Sequence, residues 1–191
     1  MKTIVRLFLI CITFFMSILS VHGAETTYTF DPGHTYVLWH VSHFGFSSPS
    51  GKWLANGTLI LDETKPQNSK VDVTIQMDSL STGIEKLDKH LKSKDFFDAS
   101  QFPTATFVSN KVSVTGKKTA KVYGTLTVHG VSKPVVLDVT LNKMGVGPIS
   151  NKKTVGFTAK TELKRSDFGV KAYLPGLSDL VKINIEAEAN A

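Results

Sequence analysis

DPGHTYVLWHVSHFGF, residues 31–46, is the stretch of sequence that decides the fold. After a proline-glycine turn signal it continues as a predicted strand, in which side chains two residues apart face the same side. Val37, Trp39 and Val41 therefore form one apolar face, which ends in His43. The opposite face is mixed in polarity and carries Tyr36, Leu38, His40 and Ser42. If the strand curls into a barrel, the apolar face points into an interior that is either packed or holds a ligand.

The same two-residue alternation recurs along the rest of the chain. It is clearest where Val71, Val73, Ile75 and Met77 alternate with polar residues, a pattern typical of a strand with one buried face. Further alternating segments are predicted near 26–31, 53–61, 105–107, 122–128, 135–141, 155–165 and 181–187. Short turns rather than helical crossovers join these eight or nine segments, so neighbouring strands are expected to be antiparallel.

The predicted strands have a length that favours closure of the sheet. Strands of about ten residues would leave two exposed edges in an open sheet, and those edges invite pairing with other chains. Closure removes the edges, so the sequence predicts an all-β protein, an extended antiparallel up-and-down β-barrel of about eight strands. Such a barrel is just wide enough to be filled by side chains or to hold one slender ligand. Gly57 within one strand marks a bend, a bulge or a close approach of two backbones.

One inserted helix interrupts the strands after residue 81. Thr82 and Glu85 match the spacing of a capping box, and Ile84, Leu87 and Leu91 fall on one helical stripe. The phenylalanines that follow are Phe96, Phe97 and Phe102. We expect this segment to cap one end of the barrel, either as a lid over an opening or as a helix that closes the core.

The first 23 residues differ in composition from the rest of the chain. Two basic residues precede a 15-residue apolar run over 7–21, and small residues follow at Gly23 and Ala24. This is the pattern of a secretory signal peptide, and the run is shorter than the about 20 residues that span a membrane. We therefore expect a cleaved signal peptide at 1–23 and a single β-barrel domain at 24–191.

Export has consequences for the mature chain. Cleavage removes Lys2 and Arg6 and lowers the formal charge from +6 to +4, and it also removes Cys11, which is the only cysteine. A cysteine-free exported domain folds without disulfides and fits the periplasm of a bacterial envelope. The remaining lysines are spread over turns rather than gathered in a basic stripe with aromatic residues, so nucleic acid is not an expected partner.

The sequence contains no convincing catalytic or metal-binding signature. The mature histidines are His34, His40, His43, His90 and His129. His40 and His43 are three residues apart on a predicted strand and face opposite ways, and no helical or strand pair has the spacing of metal ligands. No Gly-x-Ser-x-Gly elbow occurs. We therefore predict no metal, no cofactor and no enzymatic activity.

Arg165 is the most informative charged residue. It continues the apolar parity of its strand and then precedes the sequence Ser-Asp-Phe-Gly. A charge that heads inward at a barrel rim must be paired. The partner is either Asp167 or another turn carboxylate, or else the polar head group of a ligand. His43, at the end of its own apolar face, has the same two interpretations.

Short motifs in a fixed order relate the chain to a known family. They are DPGH (31–34) with HFG (43–45), GKW (51–53), DKHLKSKDFFD (88–98) with FP (102–103), GTLTVHGVSKP (124–134) and RSDFG (165–169). In this order they resemble the YceI-like family of polyisoprenoid-binding proteins over essentially the whole mature chain. The sequence departs from the family at Ala55, where an aromatic residue is common, which changes the expected pore volume.

The resemblance implies a lipocalin-like barrel with an apolar pore, in an exported and often periplasmic protein. The ligand implied is a long-chain isoprenoid, polyprenyl or quinone-like, or a related amphiphile. His43 and Arg165 are the candidate head-group contacts. The residues expected to line the pore are Val37, Trp39, Val41, Trp53, Leu59, Val73, Ile75, Met77, Phe107, Leu126, Val128, Phe157, Leu163, Ile183 and Ile185.

The function expected from these observations is that of a non-enzymatic lipid carrier. It would contact a membrane only transiently, for lipid exchange. The sequence does not decide whether the protein is a monomer or a homodimer. The alternatives are an envelope stress or interaction protein with a solid barrel core, and an extracytoplasmic enzyme built on a barrel.

Overall fold

A computed structural model describes residues 25–191, and in this range it contains nine strands and one α-helix. The strands are β1 (Glu25–Phe30), β2 (Tyr36–His43), β3 (Ser50–Asp62), β4 (Lys70–Gln76), β5 (Thr104–Val114), β6 (Thr119–Val128), β7 (Val131–Val146), β8 (Lys153–Lys164) and β9 (Leu177–Asn190). The helix α1 (Glu85–Lys92) lies between β4 and β5. The signal peptide predicted at 1–23 lies outside the described residues.

The strands form a closed antiparallel ring. Its order is β2, β9, β8, β7, β6, β5, β4 and β3, and β3 pairs back with β2. β1 and β2 run in the same direction and pair with successive parts of β3, since Thr29 lies opposite Thr58 and Tyr36 lies opposite Leu54. β1 and β2 thus share one of eight positions in the ring. This arrangement confirms the predicted all-β, antiparallel up-and-down barrel with one inserted helix.

Residues 31–46 take the expected role in this ring. Val37, Trp39 and Val41 are buried with 6–8% of their surface exposed, whereas the residues between them are partly exposed. The strand ends at His43, before the end of the quoted stretch at residue 46, because Phe44 adopts a left-handed backbone conformation with φ of 52°. The inward parity of β2 therefore supplies part of the barrel interior, and its end supplies a turn at the rim.

Gly57 in β3 marks a close approach of two backbones, one of the three possibilities that its position raised. Its φ is 144°, a value that side-chain-bearing residues rarely adopt. A Cβ atom at this position would lie 2.0 Å from the carbonyl oxygen of Asp72 in β4. A glycine is therefore required where β3 contacts β4 to close the ring.

The capping box predicted at the start of α1 is wrong. Ile84 is the N-cap residue, so Glu85 is the first helical residue and is too early to complete such a box. The Thr82 hydroxyl donates instead to Asp88 at 2.6 Å, and Glu85 forms a surface ion pair with Lys89 at 2.7 Å. Ile84 is 59% exposed and lies outside the buried stripe. No helix in residues 25–191 is long and apolar enough to cross a membrane.

Candidate functional site: an apolar cavity through the barrel

An apolar cavity of about 780 Å³ occupies the barrel interior. Ligand pockets typically measure about 300–1,000 Å³, so this volume suits a small molecule or a lipid chain. The cavity reaches from exposed His43 at the α1 end of the barrel to exposed Lys70 at the opposite end. Its wall includes all of the residues expected from strand parity, namely Val37, Trp39, Val41, Trp53, Leu59, Val73, Ile75, Met77, Phe107, Leu126, Val128, Phe157, Leu163, Ile183 and Ile185. That they bind a lipid stays a prediction.

Two tryptophans form one side of the cavity wall. Trp39 and Trp53, which are the only tryptophans of the chain, are 6% and 8% exposed, and their ring centroids are 6.0 Å apart. Neither indole N–H has a hydrogen-bond acceptor among the described residues. A buried donor without a partner costs about 1–3 kcal/mol, so the fold retains these rings for their shape and apolar area. The pair also provides a fluorescence signal that originates inside the cavity.

The helix and its following loop close part of one end of the cavity. Leu87, Leu91, Phe96 and Phe97 all line it, and Leu91 and Phe96 are buried in the same cluster as the end of β2. The sequence indicated an end cap, and these four residues form it. Phe102 lies outside the cavity wall, where it packs against the turn between β6 and β7.

Arg165 lies at the cavity wall and is 9% exposed. Its Nε donates to the carbonyl of Ser178 at 2.8 Å, and one terminal nitrogen donates to that of Val170 at 3.1 Å. The other terminal nitrogen donates to the carbonyls of Ala172 and Leu177, both at 2.8 Å. The guanidinium therefore holds the segment 170–178, which comprises the end of the connection between β8 and β9 and the first two residues of β9, through backbone atoms.

The prediction that Arg165 forms a salt bridge with Asp167 or another turn carboxylate is wrong for the described residues. No carboxylate in residues 25–191 lies in ion-pair contact with the guanidinium, and nearby Asp179 accepts from Ser166 instead, at 2.9 and 2.7 Å. Burial lowers the pKa of Arg165, and the charge of Asp179 partly offsets this effect. Carbonyl dipoles pair the buried cation in place of an acid. A head-group contact of Arg165 stays a prediction.

The cavity opens at the α1 end beside four exposed residues that also line it. They are His43, Phe44, Ser47 and Tyr173, and we call this opening the mouth. The His43 ring contacts Phe44 edge-on, with the ring centroids 4.8 Å apart. Sequence reasoning identified His43 but missed Phe44 and Tyr173, because both lie in loops where alternation carries no signal. Their aromatic character beside glycine, in HFG and in the segment before Gly176, was the available hint.

A separate group of ionisable side chains lies outside the cavity. Asp31, His34 and Glu188 bring their potential ligand atoms within 4.8 Å of one another. His34 Nδ1 lies 3.0 Å from Asp31, and this hydrogen bond raises the pKa of His34 and lowers that of Asp31. His34 and Glu188 are exposed, and none of the three lines the cavity. This group therefore plays no part in the candidate site.

Comparisons with solved structures agree with this architecture. The Burkholderia cenocepacia protein BcnA superposes with a TM-score of 0.74 at 25% identity, covering 84% of this chain and 99% of that one. A YCEI protein of Campylobacter jejuni superposes with a TM-score of 0.70 at 34% identity, covering 78% and 89%. A domain from Saccharophagus degradans described as polyisoprenoid binding has a TM-score of 0.66 at 15% identity, covering 86% and 98%, which supports the shared fold alone.

Comparisons of sequence give the same grouping. A UPF0312 protein of Pseudomonas fluorescens is 41% identical over 156 residues, which cover 81% of this chain and 80% of that protein. A UPF0312 protein of Pseudomonas putida is 40% identical over 157 residues, with the same coverage. The family model described as the YceI-like domain matches residues 28–189, nearly all of the described barrel. The chain therefore belongs to the YceI-like family.

Proposed function

We propose that the protein is an exported, non-enzymatic carrier that holds a long-chain isoprenoid lipid, polyprenyl or quinone-like, or a related amphiphile. The observation that carries this proposal is the apolar cavity of about 780 Å³, which extends between the two ends of the barrel. The carrier works in the periplasm, which it reaches through its N-terminal signal, and it contacts membranes transiently to exchange lipid. The hollow interior does not support the alternative of a barrel with a solid core.

The gain from burying an apolar tail is large enough for tight binding without catalysis. Removing about 800 Å² of apolar surface from water is favourable by about 20 kcal/mol, at about 25 cal/mol per Å². This gain in free energy exceeds the cost of association in lost translational and rotational freedom, which is about 4–15 kcal/mol. The lipid itself is the only small molecule that this function requires, and no further cofactor takes part.

The polar groups of the cavity wall suit binding better than catalysis. Nucleophilic and acid-base catalysis needs side chains within hydrogen-bond reach of each other. In residues 25–191, no hydrogen bond joins two polar side chains of the wall, and Arg165 is engaged by four carbonyl groups. His43 at the mouth is the residue that we assign to the polar head of the lipid, and its exposure leaves the ring accessible.

Lipid extraction and tryptophan fluorescence test the proposal together. Protein isolated gently from the periplasm is extracted into organic solvent and compared by mass spectrometry with an extract of cells lacking it. Delipidated protein is then titrated with a long-chain ubiquinone or a polyprenol in detergent micelles. We expect an isoprenoid in the extract and saturable quenching of Trp39 and Trp53 by the quinone. Absence of any co-purifying amphiphile, together with unchanged emission at every ligand concentration, would refute the carrier function.

A further inference from the structure

Two loops at the α1 end of the barrel expose apolar side chains. The turn between β2 and β3 carries Phe44, which is 53% exposed, and Phe46, which is 92% exposed. The segment before β9 carries Tyr173, 59% exposed, and Leu174, 36% exposed. We call these four residues the rim. Exposed apolar residues grouped around an opening indicate a surface that meets another apolar phase.

The two loops form one continuous surface. The N–H of Phe44 donates to the carbonyl of Gly176 at 2.8 Å. A Cβ atom at Gly176 would lie 2.2 Å from the Phe44 ring, so the aromatic ring packs directly on that backbone. The four carbonyl contacts of Arg165 hold the same segment from below. The rim is therefore a built feature of the fold.

The backbone of the rim is held in conformations that aromatic residues normally avoid. Phe44 and Tyr173 have φ angles of 52° and 60°, in the left-handed region. Such conformations are strained and persist where the surrounding structure imposes them. Here they turn two large apolar side chains outward at the opening, where water solvates them poorly.

The rim is continuous with the apolar cavity. Phe44 and Tyr173 line the cavity and also face solvent, so apolar surface runs without a break from the barrel interior to the outside. At the opposite end the exposed residues that line the cavity are Pro66 and the charged Lys70, and the exposed apolar residues Val146 and Ile149 lie outside the cavity wall. A lipid that left through the rim would pass directly into a second apolar phase, whereas one that left beside Lys70 would meet a charge and water.

We propose that the rim docks on the surface of a lipid bilayer and that the bound lipid enters and leaves through the mouth. This inference rests on the proposed carrier function and assigns its membrane-contacting face. Aromatic and aliphatic side chains insert into the boundary between head groups and acyl chains. The described chain has a formal charge of +4, which favours approach to an anionic membrane.

Flotation with vesicles of phosphatidylethanolamine and phosphatidylglycerol tests the assignment. The rim variant is the double substitution Phe46→Ser, Leu174→Ser, because neither residue lines the cavity. The matched control is Val146→Ser, Ile149→Ser, two residues that are 69% and 95% exposed at the opposite end of the barrel. We expect the rim variant to bind vesicles about tenfold more weakly and to release lipid to them correspondingly more slowly, with the control unchanged.

Uptake of ubiquinone from detergent micelles separates the two proposals. At equilibrium the rim variant should take up as much ligand from micelles as the unmodified protein, because its cavity is intact. Uptake that fails for all proteins would refute the carrier function. If uptake is normal and the rim variant binds vesicles as well as the unmodified protein does, the proposal that the rim docks on a bilayer is overturned. It is also overturned if the variant loses only self-association, or if the control variant loses vesicle binding to the same extent.

Discussion

At the scale of single residues, Arg165 shows how a buried cation can be satisfied without an acid. Four backbone carbonyls surround its guanidinium at 2.8–3.1 Å. The fork of an arginine has five donors in a fixed geometry, which suits several carbonyls at once, whereas a lysine presents a point charge. Arg165 thereby determines the shape of the segment that carries Tyr173.

Substitution of Arg165 by methionine is expected to destabilise the fold. Arg165→Met removes four charge-assisted hydrogen bonds and leaves buried carbonyls unpaired, so the free energy of unfolding should fall by about 3 kcal/mol. Urea unfolding followed by circular dichroism measures this loss. Lys164→Met changes the exposed neighbouring residue and should alter the free energy by less than about 0.5 kcal/mol. Undiminished stability with lost lipid binding would instead mark Arg165 as a head-group contact.

At the scale of secondary-structure elements, the ring closes where β3 meets β4. The two strands pair from Ala55 opposite Ile75 to Ile60 opposite Lys70. Gly57 lies within this register, and its missing side chain allows the carbonyl of Asp72 to approach. A glycine inside a strand usually weakens it, but here the closure of the sheet depends on it.

Replacement of Gly57 by alanine should therefore be costly. The added Cβ atom would lie 2.0 Å from a carbonyl oxygen at a φ of 144°, so we expect Gly57→Ala to lower the free energy of unfolding by about 3 kcal/mol. Gly156→Ala in β8 is the matched control, because its Cβ would meet its nearest neighbour at 3.9 Å. Both are measured by urea unfolding, and equal losses would contradict the role of the close approach.

At the scale of the whole molecule, closure of the ring creates an interior that side chains leave partly empty. Small residues contribute to this space, among them Ala159 in β8. Ala159 lines the cavity and pairs with Val139 on one neighbouring strand and with Ile185 on the other. In a packed core a larger side chain would clash with its neighbours, at a cost of about 1–3 kcal/mol. In a hollow barrel the same side chain occupies free volume.

Narrowing the cavity should weaken lipid uptake without loss of stability. We expect Ala159→Phe to reduce ubiquinone uptake at least about tenfold while changing the free energy of unfolding by less than about 1 kcal/mol. Uptake is followed by tryptophan fluorescence and stability by urea unfolding. Lys160→Phe adds the same ring on the exposed outer face and should leave uptake unchanged. A large loss of stability in Ala159→Phe would indicate a packed core.

The sequence by itself determined the strands and the side of each strand that faces inward. Alternation of apolar and polar residues records the direction of each side chain, which is a local property with a period of two. For this reason the pore wall, from Val37 in β2 to Ile185 in β9, was predictable before any strand pairing was known. The single inserted helix was equally predictable, although its first turn was not.

Only the tertiary structure decided how the ends of the barrel are built. The carbonyl partners of Arg165 are backbone atoms of a later segment. Because every residue type has a backbone carbonyl, the sequence does not indicate which carbonyl accepts a hydrogen bond. Phe44 and Tyr173 lie 129 positions apart in loops without periodicity, and they come together only when β2 pairs with β9. The wall of the cavity thus follows from local side-chain direction, whereas its mouth follows from contacts that exist only once the ring has closed.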